Sequence, residues 1–226
     1  MPDGPPENTL ASFRHAVQLG YRYLETDVHA TADGRLAAFH DPDLQRTCGR
    51  PGLISDLTSA ELSEVRVDGS EPIPMMEDLF EEFPEARFNI DAKSDEAVEP
   101  LIDLLRRTAT LDRVCIGSFS HRRLQRIRSA FGDYVCTSAS PREVASWMGG
   151  GAPVGPDCLQ VPESQGRLPV VTERSIARAR SAGLPVHVWT IDDAASMQKL
   201  IDLGVDGIMT DHGPRLREVA RANGRW

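Results

Sequence analysis

The sequence predicts an α/β fold, a (β/α)8 barrel of the TIM type, built as a single domain over residues 1–226. Three observations carry this prediction. Strand-like and helix-like segments alternate along nearly the whole chain, the pattern of parallel strands joined by crossover helices. A chain of 226 residues at 40% hydrophobic is long enough for one large core, and β/α barrels reach this size as one domain. No G-x-G-x-x-G and no Walker lysine occurs, so a nucleotide-binding doubly wound sheet has little support.

Each element has a local reason. In residues 7–19, Leu10, Phe13, Ala16 and Val17 recur at helical spacing, Asn8 or Thr9 can cap the start, and Gly20 suits a left-handed end. Residues 21–28 (YRYLETDV) are β-prone, and 35–40 (RLAAFH) form a second, short extended piece. Helix 74–83 leads to strand 87–93, helix 96–107, strand 113–119 and helix 121–131. Strand 134–138, helix 141–147, strand 158–161, helix 172–182, strand 186–191, helix 194–203, strand 207–210 and helix 214–222 complete the series. With 35–40 assigned to an excursion over residues 28–72, seven core strands remain where a closed barrel wants eight. The first helix lacks its preceding strand, so the expectation is a first strand missing or cut off.

Charge and cysteine content narrow the function. The net charge is −9, from 34 acidic and 25 basic residues without a run of one sign, which argues against nucleic acid or an anionic membrane as partner. A small phosphate-bearing substrate is still compatible, because local cations act inside an acidic envelope. Cys48, Cys115, Cys136 and Cys158 are scattered, which fits reduced thiols better than a zinc site. The sequence shows neither a membrane span nor a signal peptide, so the expectation is a cytoplasmic protein without stable membrane insertion.

Chemistry concentrates in three stretches. In LETDVHATADG, Glu25 and Asp27 are two apart on a strand and share a face. Inward-facing carboxylates need a cation or a shared proton, and Mg²⁺ or Ca²⁺ is the natural partner. Two solvated acids on an exposed edge, or acids paired with arginines, are the alternative. In FNIDAKSD, Asn89, Asp91 and Lys93 share one parity. Asp91 suits a third metal carboxylate and Lys93 a phosphate contact; a buried Asp–Lys pair holding strand register is equally compatible. In FHDPDL, His40 ends an extended piece at an Asp-Pro turn, where an imidazole can move protons or be merely solvated. His29 is a weaker candidate for that role. Trp189, in VHVWTID, suits an apolar substrate wall or core packing equally.

Together these stretches resemble the glycerophosphodiester phosphodiesterase family. PENTLASFRHAVQLG, YLETDVHATADGRLAAFHDPDLQRT, PIPMMEDL, FNIDAK, GSFS, VHVWTIDD and GVDGIMTD follow one another in that family's order, from residue 6 to about residue 211. The resemblance implies a (β/α)8 barrel with a small insertion after the second strand, here about residues 28–72. It implies divalent-metal-dependent cleavage of glycerophosphodiesters, such as glycerophosphocholine and glycerophosphoethanolamine, to sn-glycerol 3-phosphate and an alcohol. Carried over, Glu25, Asp27 and Asp91 match the metal ligands, with Asp91 standing where many relatives have Glu. His40 matches one catalytic histidine and Lys93 the phosphate-contacting lysine. Glu7, at the site's edge, and Phe119 and Trp189, in the substrate pocket, are with Lys93 the implied substrate-binding residues.

In that family a strand ending His-Arg-Gly precedes the E-N-T motif, and the 226 residues contain no His-Arg-Gly. The expected absent strand thus carries the second catalytic histidine, either through a start assigned too late or in a degenerate protein. The expected partner is a small molecule, and the expected assembly a monomer or homodimer. The rivals are a catalytically weak barrel that binds a phosphodiester or metal, and a phospholipase D-like lyase of the same superfamily.

Overall fold

The computed structural model describes residues 4–151 and 155–226, which fall into two compact units, residues 4–136 and 137–226. In the first unit, α1 (Leu10–Leu19) starts later than the hydrophobic spacing suggests, because Thr9 caps it. Thr9 Oγ1 accepts the Ser12 amide at 3.2 Å, and Ser12 Oγ accepts the Thr9 amide at 3.2 Å. Asn8, just ahead, has φ of 54°, outside any helix. Gly20, at φ 103°, closes the helix in a left-handed conformation that costs glycine little.

Strand β1 (Tyr23–Ala30) pairs antiparallel with β2 (Leu36–Ala38) and parallel with β5 (Arg87–Ala92), which pairs parallel with β6 (Val114–Gly117). The second extended piece therefore stands apart from the parallel frame, as an excursion requires. That excursion holds two single-turn helices, α2 (Gln45–Cys48) and α3 (Ser59–Leu62), and an antiparallel ribbon, β3 (Arg66–Val67) with β4 (Glu71–Pro72). It has its own apolar cluster, with Phe39, Leu44, Ile54, Leu62, Val65 and Met75 buried together.

The larger core lies between the parallel strands and three helices, α4 (Met76–Glu82), α5 (Val98–Thr108) and α6 (His121–Phe131). The alternation in β5 decides what faces it: Phe88, Ile90 and Ala92 are buried, while Asn89 and Asp91 take the other face. Phe88 meets Phe80 edge-on at 5.4 Å, and Leu101, Leu105, Leu124 and Ile127 complete the layer.

The chain passes into the second unit through β7 (Cys136–Thr137). There follow α7 (Pro141–Met148), β8 (Leu159–Pro162), a ribbon of β9 (Ser164–Gln165) and β10 (Leu168–Pro169), and α8 (Glu173–Ser181). Then come β11 (Val186–Trp189), α9 (Ala194–Leu203), β12 (Gly207–Ile208) and α10 (Gly213–Ala222). Strand β11 lies between β8 and β12, parallel to both. The β9–β10 ribbon, like the β3–β4 ribbon, is not anticipated by the sequence; two-residue strands carry too little sequence for an alternating pattern to show. Among the described residues no helix is long and apolar enough to cross a membrane, and none of the four cysteines is in a disulfide.

Candidate active site

Parallel register brings the acids together. Glu25 lies beside Asn89 and Asp27 beside Asp91, so two carboxylates face each other across neighbouring strands. Lys93, just past β5, answers that repulsion. Its Nζ lies 2.8 Å from Asp27 Oδ1 and 3.1 Å from Asp91 Oδ2. Both aspartates are nearly buried, with side chains 8% and 13% exposed, so the ammonium acts where water screens little. Burial pushes the Asp91 carboxyl above its ordinary range, and Lys93 only partly offsets this. Burial would lower Lys93, but Asp91 and Asp27 outweigh it and hold the ammonium above its ordinary range.

The surroundings fix this triad. Asn8 Nδ2 reaches Asp27 Oδ2 at 3.4 Å, and Asn8 Oδ1 accepts the Thr26 hydroxyl at 2.7 Å. Asn8 is therefore an arm into the site and not the helix cap, a role signalled only by its position in E-N-T. Arg123, on α6, donates to the Ala92 and Lys93 carbonyls at 3.1 and 2.6 Å, which pins the turn that presents Lys93. The Phe119 ring stands 5.9 Å from Lys93 Nζ and is 65% exposed, an aromatic face open beside the ammonium.

His40 sits two residues beyond β2, and the Phe39 amide holds that segment to β1 by donating to the Asp27 carbonyl at 2.9 Å. The His40 side chain is 52% exposed, with Nδ1 2.6 Å from Asp41 Oδ1. Arg46, from α2, donates through Nε to Asp41 Oδ2 at 2.5 Å. The same guanidinium grips Glu7 twice, at 2.5 and 3.0 Å. His29 is buried, and its Nε2 lies 3.1 Å from the His40 carbonyl oxygen. A carbonyl only accepts, so that nitrogen carries the proton. Burial lowers the His29 pKa and favours the neutral ring, which suits a fixed donor better than a proton carrier.

The structure thus gathers Asp27, Asp91, Lys93 and Phe119 at one place, and His40, Asp41, Arg46 and Glu7 in one connected chain. Glu25 is exposed, one register step behind the aspartates. Among the described residues no three His, Cys, Asp or Glu side chains stand together as a metal-holding group. Trp189 ends β11 in the second unit, half-buried beside Pro162. One atom suits a hard cation: Asp91 Oδ1 is buried with no hydrogen-bond partner among the described residues. A buried carboxylate oxygen left so is costly unless something binds it, and a hard cation is the chemistry it accepts.

A lysine held between carboxylates at parallel strand ends, with a histidine on the neighbouring loop, equips an α/β scaffold for hydrolysis of an anionic substrate. Comparison with known proteins gives that class its particular family. The model of the glycerophosphoryl diester phosphodiesterase family matches residues 1–213, and the chain belongs to that family. It is 36% identical to a probable glycerophosphodiester phosphodiesterase 2 of Mycobacterium tuberculosis, over 98% of this chain and 88% of that protein. Among solved structures, a glycerophosphodiester phosphodiesterase from Agrobacterium tumefaciens superposes with a TM-score of 0.83 at 24% identity, covering 97% of this chain and 95% of that one. An Oleispira antarctica phosphodiesterase, solved in complex with the product sn-glycerol-3-phosphate, gives a TM-score of 0.80 at 22% identity, covering 96% and 92%. These likenesses confirm the α/β barrel class read from the sequence, and the chain is an enzyme of the phosphoric diester hydrolase class.

Proposed function

We propose that this enzyme hydrolyses glycerophosphodiesters, glycerophosphocholine and glycerophosphoethanolamine among them, to sn-glycerol 3-phosphate and the free alcohol. The observation that carries the reading is Lys93 held between Asp27 and Asp91, with a histidine paired to an aspartate on the segment that the Phe39 amide ties to the Asp27 carbonyl. Family membership supports it, as does the product named for the Oleispira structure.

Lys93 binds a non-bridging phosphate oxygen and stabilises the charge that grows there. Phe119 offers its exposed ring to the carbon skeleton of the substrate, and Trp189, in the second unit, is proposed as a substrate-binding residue in its own right. His40 exchanges its proton at Nε2, the nitrogen left over when Nδ1 is bound to Asp41. The step forms one bond from phosphorus to an attacking oxygen, of water or of the glycerol 2-hydroxyl, and breaks the bond to the leaving alcohol. The attacking oxygen loses a proton and the leaving oxygen gains one; His40 serves one of these transfers.

Asp27 and Asp91, with Glu25, are the residues proposed to hold a divalent cation, Mg²⁺ or Ca²⁺. Such a cation supplies Lewis-acid polarisation of the phosphoryl group. A cytoplasmic protein, monomeric or homodimeric, is the setting proposed for this chemistry.

The test is ³¹P NMR of glycerophosphocholine incubated with the protein, with Mg²⁺, with Ca²⁺ and with a chelator. Metal-dependent appearance of sn-glycerol 3-phosphate is expected. A cyclic glycerophosphate instead would make the 2-hydroxyl the nucleophile. No turnover under any metal, with binding retained by calorimetry, would replace the enzyme reading with that of a binding barrel.

A further inference from the structure

We propose that Arg46 is the positioning residue for His40, acting through Asp41 and itself anchored by Glu7. The inference rests on the reading of His40 as a proton-transfer group, and it gives Glu7 a different duty from substrate contact.

The geometry engages all three nitrogens of the guanidinium. Nε goes to Asp41 Oδ2, while the two terminal nitrogens take both oxygens of Glu7. Asp41 divides its carboxylate between two partners, Oδ2 for Arg46 and Oδ1 for His40 Nδ1. With Nδ1 committed, the imidazole's orientation and tautomer are set, and Nε2 is the ring nitrogen left for chemistry. A carboxylate free to rotate would do this poorly. Arg46 stops the rotation, and its guanidinium does not give up its proton.

An exposed ion pair alone contributes little. Here, however, the fork is bidentate, the network has four members, and it joins distant parts of the first unit. Glu7 and Arg46 are 39 residues apart, one ahead of α1 and the other in the excursion. The Asp41 carboxyl is drawn below its ordinary range first by its hydrogen bond to Arg46, then by His40. It thus stays an acceptor throughout neutral pH. Lysine cannot replace the fork, since a single ammonium does not span both carboxylates in one plane.

The test combines kinetics with imidazole ¹⁵N NMR, using the full chain and glycerophosphocholine. Arg46→Ala is expected to lower kcat by about 10–100-fold with little change in KM, the usual cost of losing a partner that orients a working histidine. Millimolar guanidinium should restore part of the loss, and Arg46→Lys should not. In a His40→Ala background, Arg46→Ala should cost nothing further. Independent losses that multiply, or a loss confined to KM, would overturn the inference. Glu7→Gln, which keeps the side chain's size but leaves one oxygen to accept from Arg46, should give a smaller kcat effect in the same direction. If His40→Ala keeps most of its activity, the catalytic reading of His40 fails first. The NMR then decides the positioning claim by itself: Arg46→Ala must shift the His40 tautomer populations, and unchanged ¹⁵N shifts would refute it.

Discussion

Asp27 and Asp91 are register partners on neighbouring parallel strands, and one ammonium, that of Lys93, lies within 3.1 Å of both. Like charges so placed repel in proportion to how little water reaches them. Among the described residues Lys93 is the cation paired with both, and it makes their closeness tolerable.

Replacement of Lys93 tests that directly. Lys93→Met leaves two largely buried carboxylates side by side, and breaking a buried ion pair by removing one partner costs about 3–5 kcal/mol. Urea unfolding near neutral pH should show a loss of that order, smaller where the aspartates take up protons. A variant as stable as the wild type would mean that solvent already screens the pair.

Asp33 gives a pH prediction of definite sign. Its carboxylate accepts the Thr31 hydroxyl at 2.6 Å and both the amide and hydroxyl of Ser59, at 2.8 and 2.7 Å. These bonds hold its pKa down, from an ordinary 3.8 to about 2. A carboxyl whose folded pKa is depressed stabilises the fold above its unfolded pKa, and that contribution fades as pH falls towards about 2. The Asp33 side-chain carbon, followed by NMR, should titrate with a midpoint near the lower value. Thr31→Val should move the midpoint towards 3.8, and an unmoved midpoint would exclude the Thr31 bond as its cause.

The cap of α1 is a stability device within reach of the site. Thr9 Oγ1 accepts the Ser12 amide and donates to the Pro6 carbonyl at 2.7 Å, and Thr9 is fully buried. Thr9→Ala should cost about 0.5–2 kcal/mol, towards the upper end because the hydroxyl has two partners. Thr9→Ser should recover most of it, and thermal melting of both variants would show whether it does.

The alternation of hydrophobic and polar residues made the parallel frame legible in advance, because it forms over six residues or more in β1 and β5. The same parity placed Asp27 and Asp91 on one face and Phe88 and Ile90 on the other. What the sequence hid was who touches whom. Nothing local to HDPDLQRT says that Arg46 reaches back to Asp41, or forward in space to Glu7. Asn8 looked like a cap because Asn caps helices well; its φ of 54° and its reach to Asp27 depend on tertiary contacts. His29 shares the parity of Asp27, but its ring is spent on a backbone carbonyl that only the β1–β2 pairing brings close.

Asp91→Asn separates the two accounts of the Asp–Lys strand that the sequence leaves open. If Asp91 and Lys93 are a pair that holds register, removing the carboxylate strands the ammonium and costs about 3 kcal/mol or more. In the structure, however, Lys93 also lies 2.8 Å from Asp27, so with Asp91 made neutral one cation would still face one anion. The substitution also relieves the repulsion between register partners. Stability should therefore hold or rise by up to about 1 kcal/mol, in the range of ordinary side-chain exchanges. Turnover should fall by at least about 10²-fold, because Asp91 is proposed to hold the cation that polarises the phosphoryl group. A functional charge shows this opposition, lowered activity with preserved or raised stability, because the fold tolerates it for the sake of the chemistry. Chemical unfolding and ³¹P-monitored turnover on the same preparation read both quantities. A variant that loses stability and keeps its activity would return Asp91 to the register-holding role.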